Sequence, residues 1–380
     1  MSGEVLAFPQ APDGVEVRHL RAFIAVAEEL NFNRAATRLY LSQPALSRQI
    51  RALERLLGCE LLRRSTHRVE LTVAGSALLD RARRLLADLD EAIATTQSVG
   101  GELANRMATM WAPVLEVVAA DRDIQETRIA YEAFLAQSPV PESISVRPVN
   151  AGGVSALALG AADQPDTPIL YLHGGGYAVG SAYGYRPLVG ALATAAGAGA
   201  LVPDYRLAPE HPFPAALEDV LAAYRSVVGA RVIVTGECAG GGLAIALAVA
   251  ARDEGLALPE AIDVVSPFCD LTLSGASIDA PTGPDPWMNR HRLRTMAASY
   301  IHGADPADPR ISPLYADLRD LPPLTIRAAA GEALADDARR LADVAGAADV
   351  DVSLELVEDS VHSFVLFGFL PEAQAALSPR

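Results

Sequence analysis

The 380-residue chain contains no lysine; all 31 of its basic residues are arginine. This fits a GC-rich coding bias and carries no functional signal. It does exclude a phosphate-binding loop, which needs a Lys-Ser/Thr pair, at the glycine runs 174–176 and 240–242. Cysteine is scarce: Cys59, Cys238 and Cys269 are the three, so at least one is unpaired, and none has zinc-ligand spacing. There is no dinucleotide fingerprint. No apolar run approaches the roughly 20 residues of a membrane span. No basic stretch followed by an apolar core marks a secretory signal at the N-terminus. A cytoplasmic protein with reduced thiols, no membrane association, no metal and no cofactor is the expectation. What is abundant is apolar: 51% hydrophobic residues, enough for a sizeable core and two or three domains.

Charge divides the chain. The whole carries −16. Residues 18–68 hold ten Arg against four Glu, a net +6, whereas residues 101–380 hold 18 Arg against 35 acids, a net −17. A basic module on an acidic protein is the electrostatic footprint of DNA binding, because phosphate contacts supply most of the affinity.

In the acidic part, residues 231–235 predict a strand and 241–250 a helix. Between them lies Gly236-Glu237-Cys238-Ala239-Gly240. Gly-x-nucleophile-x-Gly between a strand and a helix is a nucleophile elbow. The turn is tight, so its neighbours must be small, and the helix points its positive end at the site. His173 and Gly174–Gly176 follow the strand 169–172, where backbone N–H groups can face a developing oxyanion. Ala239 can add another. His362 follows the strand-like run 352–357. Glu332, Asp336 and Asp337 follow the strand 324–327, and a carboxylate there can orient His362. Cys59 and Cys269 are expected to be small buried hydrophobes, His173 a loop-shaping residue, and His211 structural.

These motifs, with residues 173–177 (HGGGY), 204–214 (DYRLAPEHPFP), 266–272 (SPFCDLT), 312–315 (SPLY) and 321–324 (LPPL), resemble the hormone-sensitive-lipase family of bacterial esterases from about residue 107 onward. The resemblance implies a triad of Cys238, Glu332 and His362. It implies oxyanion donors at the N–H groups of Gly175, Gly176 and Ala239, and N-terminal helices that cap the site. Three positions depart from the family pattern. Cys238 replaces serine, Glu332 stands where many members have aspartate, and Glu237 stands where aspartate is usual.

The basic part predicts three helices: one beginning at 23–27, one over 31–40 and one over 44–57, with Pro44 tolerated in a first turn and Gly58 as C-cap. Two helices joined by a tight turn, the second rich in Ser, Gln and Arg, make a helix-turn-helix. Ala35-Ala36, residues 42–48 (SQPALSR), residues 61–64 (LLRR), Leu71-Thr72 and Gly75 resemble the LysR-type regulators over residues 17 to about 99. That resemblance implies a winged helix, a wing around 63–68 and a dimerising linker helix. The expected contacts with double-stranded DNA are Ser42, Gln43, Pro44, Ser47, Arg48, Arg51, Arg63, Arg64 and Arg68. Independently, Leu78, Leu79, Ala82, Leu85, Leu86, Leu89 and Ile93 recur at helical spacing. Such a stripe must be buried, against a second copy of the chain, against its own winged domain, or both.

The expected architecture is therefore multidomain. A largely helical winged helix-turn-helix over 17–75 precedes a linker helix over 76–100, with Gly100-Gly101 as the flexible point. A helical cap and entry strand follow over 101–150, and an α/β-hydrolase domain, a mostly parallel sheet flanked by helices, over 151–380. The LysR-type resemblance would place a periplasmic-binding-protein-like effector domain where this chain has the hydrolase module. Three functions compete: a DNA-binding regulator whose effector domain senses a small acyl ester or lactone, a working esterase that also binds DNA, and an uncoupled fusion of the two.

Overall fold

The structure is a computed structural model. It describes residues 14–39, 41–64, 69–120, 123–160, 169–228 and 231–377. The chain divides into two units, Met1–Gly101 and Glu102–Arg380.

The first unit begins with α1 (Val17–Glu29), α2 (Phe32–Arg38) and α3 (Gln43–Leu57). Asn31 starts α2 by accepting hydrogen bonds from the Asn33 and Arg34 amides at 2.9 and 3.1 Å, satisfying donors that helix geometry leaves free. Ser42 does the same for α3 through the Ala45 amide at 3.3 Å. Gly58, at φ 68°, ends it. Phe23, Val26, Leu46, Ile50, Leu53 and Leu61 form the shared core. A two-stranded ribbon, β1 (Leu62–Arg64) and β2 (Val69–Leu71), pairs antiparallel. The second helix is thus shorter than the expected 31–40, because Asn31 is spent as a cap.

The helix that follows, α4 (Val73–Ala119), continues through Gly100 and Gly101. The division into two units falls at Gly101. A helical glycine costs about 1 kcal/mol against alanine, too little to end a helix of this length. In the first unit Leu78 and Leu79 pack on the core and Ala82 is fully buried, whereas Leu85 is 59% exposed. The side chains of Leu89 and Ile93 lie outside the described residues.

The second unit continues with α5 (Ile124–Leu135), capped by Asp123. Then come β3 (Ser145–Ala151), β4 (Val154–Gly160), β5 (Ile169–Leu172), α6 (Arg186–Ala196), β6 (Ala200–Pro203), α7 (Ala215–Val227), β7 (Ile233–Glu237), α8 (Ala239–Asp253) and β8 (Ala261–Val265). The unit closes with α9 (Arg290–Ile301), β9 (Leu324–Ala329), α10 (Ala335–Ala347), β10 (Val352–Val357) and α11 (Pro371–Ala376). The eight strands lie in the order β10-β9-β8-β7-β5-β6-β4-β3. The β3–β4 and β4–β6 pairs are antiparallel, so β4 alone is reversed and the other pairs are parallel. Strands covered on both faces read as continuous apolar runs, as β5 and β6 do. The loops after β5, β7 and β9 leave the carboxyl edge of the sheet, where open α/β sheets gather their chemistry.

The stripe on α4 yields one expected outcome. Asp at Leu85 and Leu89 should lower the solution mass measured by light scattering to that of one chain. An unchanged assembled mass with native DNA affinity would show that α4 is not the contact between copies.

Candidate active site and nucleic-acid interface

The turn between β7 and α8 holds Cys238 at φ 52°, ψ −119°, a region non-glycine residues occupy only under constraint, at a cost of about 1–3 kcal/mol. The constraint is visible. The Cys238 amide donates to Val265 O at 3.0 Å, and its carbonyl accepts from the Phe268 and Gly242 amides at 2.9 and 3.2 Å. A Cβ on Gly240 would stand 1.9 Å from Leu172 O, and one on Gly236 2.5 Å from Gly240 O. Only glycine fits either place.

The loop after β5 supplies the facing wall. Gly175 and Gly176 have φ 101° and 59°. Among the described residues no backbone hydrogen bond uses the N–H of Gly175, Gly176 or Ala239. His173 is fully buried, stacks on Tyr205 at 4.2 Å and bonds Gly174 O through Nδ1 at 2.7 Å. Burial lowers its pKa to about 4, so it is a neutral brace for the loop. His211 is exposed.

Behind the thiol, His362 Nδ1 lies 3.1 Å from Glu332 Oε2. Glu332 also accepts from Ser266 Oγ at 2.8 Å, and Ser266 Oγ in turn accepts from the Ser363 amide at 3.0 Å. Burial raises the Glu332 carboxyl against the pull of His362. For His362, burial disfavours the charged ring, but Cys238 and Glu332 outweigh it and hold its pKa well above the ordinary value. Cys238, His362 and Glu237 bring a sulfur, a ring nitrogen and a carboxylate oxygen within 4.8 Å of one another.

The acids left open by the sequence lie elsewhere. Asp337 accepts from the Cys269 and Asp270 amides, both at 2.9 Å, and Asp336 from the Ser277 amide at 2.9 Å. Neither bonds His362. Cys269 is buried, and burial lifts its thiol pKa well above the ordinary value, whereas Cys59, just past the Gly58 cap of α3, is exposed rather than buried as expected.

Sequence reasoning missed several residues here. Glu237 is buried and accepts from Tyr185 Oη at 2.6 Å and from Ser363 Oγ; Tyr185 in turn meets Tyr131 Oη at 3.0 Å. Asp285 accepts from the Trp287 amide at 2.7 Å and from the His362 amide, and burial raises it. Trp111 lies between Phe134 and Trp287, with ring centroids 4.1 and 4.7 Å away. These rings help roof a cavity of about 10 Å³ beside Cys238, room for one water. The family-like motifs signalled the triad. Nothing local signalled partners that meet only through the fold.

In the first unit, Gln43, Pro44, Arg48, Arg51 and Arg63 are exposed. Ser42 is exposed too, but its hydroxyl caps α3. Ser47 is only 9% exposed and faces the core, a correction to its expected place among the contacts: it lies one position from Leu46 and three from Ile50, on the buried face of α3. The side chain of Arg64, and Arg68 entirely, lie outside the described residues. A groove of about 950 Å³ is lined by Arg18, Arg48, Arg51 and Arg55, two of which lay outside the expected set.

Residues 169–366 match the family model described as alpha/beta hydrolase fold, and residues 17–76 that of the bacterial regulatory helix-turn-helix proteins of the lysR family. An acetyl-hydrolase of Streptomyces hygroscopicus is 39% identical over 265 residues, 67% of this chain and 87% of that protein. The crystal structure of an esterase from the bacterial hormone-sensitive lipase family superposes with a TM-score of 0.67 at 39% identity, covering 72% of this chain and 94% of that one. An uncharacterized HTH-type transcriptional regulator of Escherichia coli is 50% identical over 93 residues, 23% of this chain. The match spans 31% of that regulator's length.

Two outcomes separate the acids. Glu332→Gln should slow acyl transfer from p-nitrophenyl acetate on the order of a hundredfold, whereas Asp337→Asn should leave it unchanged. Asp337 acts on stability instead. Burial pushes its pKa up to about 7 from an ordinary 3.8, so the folded state holds its proton more tightly than the unfolded one. That contribution is full below pH 3.8 and is lost as pH rises through about 7. Thermal melts at pH 5 and pH 8 should fall in wild type and fall less in Asp337→Asn.

Proposed function

Because the chain belongs to the α/β-hydrolase family and carries a LysR-type helix-turn-helix ahead of that domain, we propose that it is a DNA-binding regulator. Its hydrolase unit captures a small acyl ester or lactone through Cys238. The observation that carries this reading is the assembled site: a thiol on a strained elbow, the His362–Glu332 pair behind it and unengaged amides in front of it.

The chemistry follows from that geometry. Cys238 Sγ attacks the acyl carbonyl, and the thiol proton passes to His362. The tetrahedral oxyanion rests against the N–H groups of Gly175, Gly176 and Ala239. As the C–O bond breaks, His362 returns its proton to the leaving alcohol, and a thioester remains. His362 then takes a proton from water, whose oxygen attacks the thioester, releasing the acid and restoring the thiol. Sulfur is larger than oxygen, and small misplacements of a reacting atom cost about a hundredfold in rate. A long-lived thioester follows, suited to a sensor. The acetyl-hydrolase relative favours short acyl groups.

One helix contributes to both units. The first turns of α4 pack on the winged-domain core, and Trp111, on its later turns, stacks over the elbow. The rival reading, a working esterase with an accessory DNA-binding module, is favoured by the intact His362–Glu332–Ser266 hydrogen bonds.

Intact-mass measurement during exposure to p-nitrophenyl acetate, with DNA affinity recorded in parallel, decides between them. A persistent acetyl adduct on Cys238 that shifts DNA affinity is the expected result. Rapid turnover with DNA affinity unchanged would overturn the sensor reading. Cys238→Ala should abolish the adduct, and Cys238→Ser should turn over faster than wild type. Arg48→Ala should weaken specific DNA binding by about 1–3 kcal/mol if its guanidinium reads a base. Unchanged affinity by fluorescence anisotropy would remove that assignment.

A further inference from the structure

We propose that Cys238, His362 and Glu237 together bind one divalent cation of the zinc class. The three donor atoms lie within 4.8 Å of one another and all three residues are buried. A thiolate, an imidazole and a carboxylate form a donor set suited to zinc, while the hard cations Mg²⁺ and Ca²⁺ prefer oxygen alone. The cysteine creates the opportunity, since the serine it replaces offers no soft donor.

A second observation points to a ligand. His362 Nε2 is buried with no partner of its own beyond the Cys238 thiol, its co-ligand, while Nδ1 is held by Glu332 at 3.1 Å. Metal-bound histidines keep this arrangement: one ring nitrogen on the ion, the other on a carboxylate that fixes the ring. Glu332 is itself held by Ser266, so the outer support stands ready. Glu237 is anchored by Tyr185 and Ser363. Its oxygens keep further lone pairs for an ion. Ligand atoms around a tetrahedral zinc lie about 3.4–3.6 Å apart, so the cluster needs to contract by about 1 Å.

Cys238 and His362 bind as thiolate and neutral Nε2, so the proton that a neutral thiol–imidazole pair carries on sulfur is released to solvent. Holding the thiolate lone pair on the ion weakens its attack on an acyl group, so the ion and the ester compete for Cys238. The site rests on the same residues as the proposed acyl chemistry but is detected without it.

The test is titration of the full chain, freed of metal by a chelator, with Co²⁺. A sulfur-to-cobalt charge-transfer band saturating at one ion per chain, with one proton released per ion, is expected. Zn²⁺ should displace the band and protect Cys238 from iodoacetamide, read by peptide mass mapping. Cys238→Ser should remove the band, while Glu237→Gln and Glu332→Gln should weaken the affinity by about 10–100-fold. Circular dichroism checks that each variant is folded. A band that survives in Cys238→Ser belongs to Cys59 or Cys269 and overturns the proposal. So does alkylation of Cys238 at an unchanged rate under saturating Zn²⁺ in wild type, a result needing no variant. Acetylation of the metal-free protein by p-nitrophenyl acetate reports separately on the acyl reading.

Discussion

The backbone of Cys238 is the constraint on which the site depends. A side chain is forced into positive φ because strand β7 must turn into helix α8 within one residue. The turn closes only because Gly236 and Gly240 leave room for neighbouring carbonyls. The strain is balanced by the hydrogen bonds that tie Cys238 to Val265 and Phe268, which belong to β8 and the loop after it. The thiol's position is therefore set by the sheet's interior. Any change in β8 packing would reach the thiol through backbone bonds, without touching its side chain.

Around that fixed point, buried polar groups are arranged in two sets. One runs from Ser266 through Glu332 to His362, the other from Tyr131 through Tyr185 to Glu237 and Ser363. They meet at adjacent residues, His362 and Ser363. A buried carboxylate is tolerable only when hydrogen-bonded, and each set supports one. Both sets reach the cavity beside Cys238, which His362, Glu237 and Ser363 line.

The sequence disclosed the parts of this design that are local. The elbow, the glycine loop and the recognition helix each fit within about ten residues, where spacing and residue type determine the backbone. Glu332 was legible through the family-like motifs, while position after the strand alone left it one of three nearby acids. The choice among them turned on the path of the loop after β9, which carries Glu332 to His362 and buries Asp337 against the amides of Cys269 and Asp270. Glu237, Asp285 and the ring stack were not legible, because their partners are more than 50 residues away or come from separate elements. Ser47 misled in a different way. Motif position suggested a contact, while the helical period that buries Leu46 and Ile50 turned it inward.

The ring stack over the elbow has one more consequence. The chain has two tryptophans, Trp111 and Trp287, and they lie face to face at 4.7 Å with planes 3° apart. All of the chain's indole emission therefore originates at the roof of the site, and none comes from the DNA-binding unit. Intrinsic fluorescence is a private optical channel to the space above Cys238, free of background from the rest of the molecule. An occupant or a displacement of α4 that separates the two indoles changes that signal at its source, with no label added.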